Sequence, residues 1–337
     1  MRSADTGSRI WLLALVPDVR GGRWISGLLI FAALIAMFSA AGVFSADASD
    51  YASPGVSLFF AAILGYIIPV VHFISERAQT ALEDLAGPLG LDAKSLAEQT
   101  RRVSHRSRRW TLLWASAGII AGGAHNVLLL SSVDTTLAGG LDSLGVSNLI
   151  GGALVWIVMT FAITSLVEIA GQFNRLAHNA EVDLLNPTAL TPFGRMAVIS
   201  TLAMIGAQAA FPLMWIDQIS SAVTMVPGLI ATAVPMVLMF ALPVWPVHRR
   251  IAAAKRAELQ RIHGWIEAAR GVGTAGPEEP EALARLAPLL SYRNEIEHLS
   301  EWPFNATLLT RLGFYLIIPP LTWLGAALME IVLQDVV

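Results

Sequence analysis

The chain has 337 residues, of which 55% are hydrophobic and only 14% charged, with a net charge of −3 and a mean hydropathy of +0.61. A soluble domain carries about 25% charged residues, so most of this surface must face something apolar. The absence of cysteine excludes disulfides, thiolate metal sites, iron–sulfur clusters and cysteine nucleophiles, and the small negative charge gives no general affinity for nucleic acid.

A helix rises about 1.5 Å per residue, so roughly 20 apolar residues cross a ~30 Å hydrocarbon core. Residues 1–23 read as an N-terminal segment whose Ile10–Val16 run is too short to span and is expected at the inner interface. The first span, Trp24–Phe44, is about 21 residues long. A signal-peptide core is roughly 7–15 residues, so this span is read as a retained helix.

Residues 24–130 hold spans one to three: Trp24–Phe44, Pro54–Ile74 and Trp110–Leu130. Between the last two lies a helical hairpin, 76–109. Glu76–Leu85 keeps helical composition until Gly87-Pro88-Leu89-Gly90 breaks it, and Asp92 is placed to cap a helix running to Trp110. Residues 131–195 hold span four, Leu149–Ile169, and an interfacial elbow, Asp183–Arg195, in which Asn186-Pro187 is a turn signal.

Residues 196–337 hold span five (Met196–Ile216), span six (Met225–Trp245) and span seven (Leu308–Leu333), with a second hairpin at 246–307. Its first arm carries an apolar stripe at Leu259, Ile262, Ile266 and Ala269, with Ile251 earlier on the same side. Its second arm opens at Pro280 behind Glu278 and Glu279 and carries Leu286, Leu289, Tyr292, Ile296 and Leu299. The expected fold is therefore all-α: a polytopic transmembrane bundle of seven spans with two cytoplasmic helical hairpins.

Orientation follows from where the basic residues lie. With the N-terminus inside and the C-terminus outside, all 22 Lys and Arg fall in the inner segments or the first turn of span seven. The outer loops hold Asp47, Asp50, Asp134, Asp142 and Asp217 instead. Only Lys94 and Lys255 are lysines. That bias reads as the codon composition of a GC-rich bacterium, and the expected location is the inner (cytoplasmic) membrane.

The halves look alike at their boundaries. Gly22-Arg23 opens span one and Gly194-Arg195 span five; Pro54-Gly55 opens span two and Pro227-Gly228 span six; Val71-His72 and Val247-His248 close those spans. Spans 1–3 and 5–7 would be parallel repeats joined by span four, a plan known among transporters. The alternative is coincidence, because Gly, Pro and Arg are common at any helix boundary.

Candidate functional residues are few. Intramembrane polar groups are costly, and here they are His125 and Asn126 in span three, Gln208 in span five and Glu168 near the inner end of span four. They form a candidate polar pathway or, more simply, interhelical hydrogen bonds. Pro69, Pro235, Pro243, Pro319 and Pro320 are candidate helix breaks, since each removes a backbone donor and exposes a carbonyl. Gly118-x-x-x-Gly122 and the Gly206–Ala210 stretch permit close helix packing, within the chain or between copies.

No catalytic residue, metal site or cofactor is expected. The chain has no His-Glu-x-x-His, Gly-x-Ser-x-Gly or phosphate-binding loop, and no span contains the lysine a retinal Schiff base needs. Two readings follow. The first is a channel or transporter for an ion or small solute. The second is a membrane-anchored signalling or assembly protein acting through its hairpins. The expected partners are the lipid bilayer, further copies of the chain in a homo-oligomer, and a protein bound at the 246–307 hairpin.

Overall fold

The computed structural model describes residues 8–17, 19–45, 54–132, 143–215, 222–271, 280–304, 306–317, 321 and 325. Apart from one two-residue bridge, its regular structure is helical: α1 (Trp11–Ala14), α2 (Gly22–Ala40), α3 (Pro54–Asp84), α4 (Ala93–Ser104), α5 (Arg108–Ser132), α6 (Ser143–Ala177), α7 (Thr191–Gln208), α8 (Ala222–Gly271), α9 (Pro280–His298) and α10 (Ala306–Leu316). Five stretches are long and apolar enough to cross a membrane: Gly22–Ala40, Pro54–Asp84, Leu149–Ala177, Pro187–Met214 and Ile230–Arg270. They cover expected spans one, two, four, five and six. Expected span three falls within α5. Span seven begins in α10 and otherwise lies largely outside the described residues.

Glycine sets the ends of α2. Gly21 takes a positive φ of 81° and Gly42 one of 90°. After the last turn, Gly42 N–H donates to Ser39 O at 3.0 Å and Val43 N–H to Phe38 O at 3.1 Å. This is the left-handed cap that satisfies otherwise orphaned carbonyls, and Val43 and Phe38 are both fully buried, as its apolar contact requires. The same device at Gly90 (φ 59°) ends the turn after α3, with Leu91 N–H on Ala86 O at 2.9 Å. Asp92 then caps α4 by accepting from Ser95 N–H at 2.9 Å, and hydrogen bonding from Ser95 holds its carboxyl below the usual range.

The helix from Asp92 stops short of Trp110. His105–Arg106 (β2) is extended and pairs antiparallel with Ser8–Arg9 (β1), in the register Ser8↔Arg106 and Arg9↔His105. Ile10 N–H extends the contact to Ser104 O at 3.0 Å. The bridge pulls the N-terminal segment into the bundle, so Ile10, Leu12, Leu13 and Val16 are buried, and Trp11 meets Phe161 edge-on at 5.4 Å.

Helices α6, α7 and α8 pack on one another at the centre and α3 packs on α6 and α7, with α2 against α3 and α5 against α6. Small residues decide how close the outer pair come. A Cβ on Gly27 would lie 2.6 Å from Gly65 O, and one on Gly65 would lie 2.9 Å from Gly27 O, so α2 and α3 cross in backbone contact. Gly118 and Gly122 seat α5 on Ile157 and Trp156 of α6, so this pair packs within the chain. The last helices of the two halves have different neighbours. Among the described residues α10 packs on α7, whereas α5 packs on α6, which departs from a simple repeat.

The prolines expected to break helices at 69, 235 and 243 lie instead inside continuous helices: Pro69 in α3, and Pro235 and Pro243 in α8, a single helix of 50 residues. Each proline withdraws one backbone donor, which a long, packed membrane helix tolerates. Pro319 and Pro320 lie outside the described residues.

Ile262 and Ile266 of α8 meet Ile296 of α9 in a small core with Leu259, Leu286, Leu289, Tyr292 and Leu299. Ile251, expected on that stripe, packs instead in the cluster shared by α3, α6 and α7. The connection to α10 is fastened to α8: Lys255 Nζ donates to Leu299 O at 2.9 Å, and the His248 and Trp302 rings stack at 4.0 Å.

Candidate functional site

Among the described residues, the buried polar side chains of α3, α6, α7 and α8 are uncharged apart from the titratable His72: Ser57 and Ser75 on α3, Ser147, Ser165 and Gln172 on α6, Ser200, Thr201 and Gln208 on α7, and Thr232 on α8. Gln208 Nε2 donates to Thr232 Oγ1 at 3.2 Å, tying α7 to α8. Thr201 Oγ1 returns to Ala197 O at 2.8 Å. Tyr66 of α3 donates its hydroxyl to Ala203 O at 3.1 Å, lying against Gly206, where a larger residue would collide with it. His72 faces Glu76, with Nδ1 3.6 Å from Oε1. The hydroxyls of Ser57, Ser75 and Ser165 are buried and make no hydrogen bond among the described residues.

The four polar residues singled out from sequence fall at three separate places. Gln208 joins the central set through Thr232. His125 sits beside Trp156, ring centroids 5.5 Å apart, with its Nδ1 buried and unpartnered, and the neighbouring Asn126 places its amide oxygen against Gly152. Glu168 is twelve residues beyond Trp156 on α6, about 18 Å along the axis. They do not line one continuous path.

Glu168 belongs to a different constellation. It accepts from Trp110 Nε1 and pairs with Arg106, whose Nε is 2.6 Å from Oε2. Arg106 also donates to His105 O at 3.0 Å and to Arg102 O, and its guanidinium lies 5.5 Å from the Trp110 ring centre. Burial lowers the Arg106 pKa from its usual value, and the Glu168 charge opposes that shift. This cluster ties the β1–β2 bridge to α6 through Glu168, whose side chain is partly exposed.

Sequence reasoning missed Tyr66 and Arg106. A tyrosine in mid-span departs from the interfacial belt where tyrosine concentrates, and that was a usable signal. Arg106 gave none, because it reads as one of many inner basic residues. Among the described residues no group of three or more His, Asp or Glu is placed to hold a metal ion.

Comparison with known proteins finds no matching family model, no matching curated protein and no matching solved structure. What stands is an all-helical chain with five helices long and apolar enough to cross a membrane, with buried, mostly uncharged polar side chains on its central helices.

Proposed function

We propose that the chain is a seven-span protein of a bacterial cytoplasmic membrane, N-terminus inside and C-terminus outside, that carries or conducts a small, weakly charged solute between α3, α6, α7 and α8. The observation that supports this reading most is the set of buried hydroxyls at Ser57, Ser75 and Ser165 with no partner among the described residues. Unpaired polar groups are costly in a membrane interior, and a passing solute or water satisfies them. The scarcity of charge along the seam favours passive flux over steep ion coupling.

Purified protein in liposomes tests this by light scattering with glycerol and urea and by potassium flux. Transport of at least one probe above protein-free vesicles, changed several-fold by Gln208→Leu, is the expected result. Vesicles no more permeable than lipid alone to all three would sink the proposal. Topology is tested separately, since the chain has no native cysteine. An impermeant maleimide should label Ser45→Cys in intact spheroplasts and leave Glu267→Cys unlabelled until the membrane is opened.

A second reading rests on α8 and α9, where Trp265 is 45% and Leu290 49% exposed. Beyond the bilayer such apolar groups suit a protein partner. Deleting Arg261–Glu297 leaves flux unchanged under the first reading and abolishes partner capture under the second.

A further inference from the structure

Helix α5 keeps one long face uncovered. Gly118 and Gly122 seat it on Ile157 and Trp156 of α6, and α8 touches it more slightly. On the side away from those glycines, Leu112, Leu113, Ile119 and Ile120 are between 58% and 70% exposed. At about 3.6 residues per turn these four share a face. Gly123 lies on it too, with nothing within 4 Å of the place its Cβ would take.

Two charges head the same face. Arg108 and Arg109 open α5 and are exposed. They stand four residues before Leu112 and Leu113, so each lies one turn below a leucine on the same side of the helix. Neither arginine pairs with a carboxylate among the described residues. Glu98 is engaged by Arg102, and Glu168 by Arg106 and Trp110. From Arg109 to Ile120 the strip runs about 16 Å, close to the hydrocarbon depth of one leaflet, half of ~30 Å.

Unpaired positive charge at the foot of a leaflet-long apolar strip matches a molecule with an anionic head and a hydrocarbon tail. A second copy of the chain matches it poorly. Two copies of one membrane orientation, joined through this face, would bring four guanidinium groups together, and like charges across an interface oppose association. We infer that the uncovered face of α5 binds an anionic phospholipid of the inner leaflet, its headgroup on Arg108 and Arg109 and its acyl chain along Leu112, Leu113, Ile119 and Ile120. Basic residues at the cytoplasmic edge of a spanning helix attract such headgroups. The inference rests on the reading of α5 as the third span with its first turn inside, and it needs no transport.

The test places one fluorophore on the face. Ser116 is exposed between the two apolar pairs and the chain has no native cysteine, so Ser116→Cys takes a single maleimide dye. The labelled full chain is reconstituted in phosphatidylcholine vesicles containing equal fractions of acyl-nitroxide phosphatidylglycerol or acyl-nitroxide phosphatidylcholine. Phosphatidylglycerol should quench at a several-fold lower fraction. Arg108→Gln with Arg109→Gln should bring the two lipids to parity, and Arg108→Lys with Arg109→Lys should keep the preference. Equal quenching in the native background overturns the inference, as does a preference undiminished by the glutamine pair. Absence of quenching by either lipid also overturns it, and aqueous iodide then tells why. Iodide quenching would put α5 outside the bilayer and sink the span reading as well, whereas protection from iodide would mean that a second copy covers the face.

Discussion

Replacing Glu168 with alanine is expected to lower stability by about 3 kcal/mol, and replacing Arg106 with leucine by about half that. The asymmetry comes from burial: the Arg106 side chain is 8% exposed and that of Glu168 41%. Removing Glu168 strands a buried guanidinium, which is the costly way to break an ion pair. Removing Arg106 leaves a carboxylate that is partly exposed, although the carbonyl of His105 loses its donor. The double variant should therefore be more stable than Glu168→Ala alone, since it no longer buries an unpaired charge. Denaturant titration in detergent, followed by tryptophan fluorescence, reads all three variants as a double-mutant cycle. Single losses that merely add would show that the pair is not coupled.

The second large effect concerns glycine. In a helix, Gly→Ala gains up to about 1 kcal/mol from propensity alone, so composition predicts that every helical glycine here would improve as alanine. The structure predicts opposite signs at different sites. At Gly123 nothing lies within 4 Å of the place an alanine methyl would take, whereas a methyl at Gly27 would meet Gly65 O at 2.6 Å and Pro69 Cγ at 2.9 Å. A carbonyl cannot step aside as a side chain can, so α2 must move away from α3. Such overpacking costs about 1–3 kcal/mol. Gly27→Ala should therefore be destabilised by about 1–2 kcal/mol net and Gly123→Ala unchanged or improved. The same titration compares them, and a Gly27→Ala chain as stable as the native one would show that the two backbones are not in contact.

Much of the helical layout was legible in the sequence because helix ends and faces are local. Asp92 is a capping residue where a helix begins, the Gly87–Gly90 turn ends α3, and the spacing of Ile262, Ile266 and Ile296 names side chains that do meet. What escaped was contact between distant segments. The bridge of Ser8–Arg9 with His105–Arg106 is two residues long and has no periodic signature. Arg106 and Glu168 are ordinary residues until the fold sets them 2.6 Å apart. The prolines misled in the other direction: read singly, each is a lost bond, but α3 and α8 absorb those losses one at a time. Of the candidate polar residues, sequence identified Gln208 but not its partner Thr232, because pairing across helices depends on rotation about each axis.

Helix α8 has a mechanical consequence. Fifty residues of unbroken helix extend about 75 Å, more than twice the ~30 Å of a bilayer core. Prolines at 227, 235, 243 and 246 soften its first half, while the stretch from 247 to 271 has none. The molecule thus joins a compliant segment among the central helices to a stiff arm beyond them, with α9 packed along that arm. A tilt of about 5° at the compliant end sweeps the far end of this ~37 Å arm through about 3 Å.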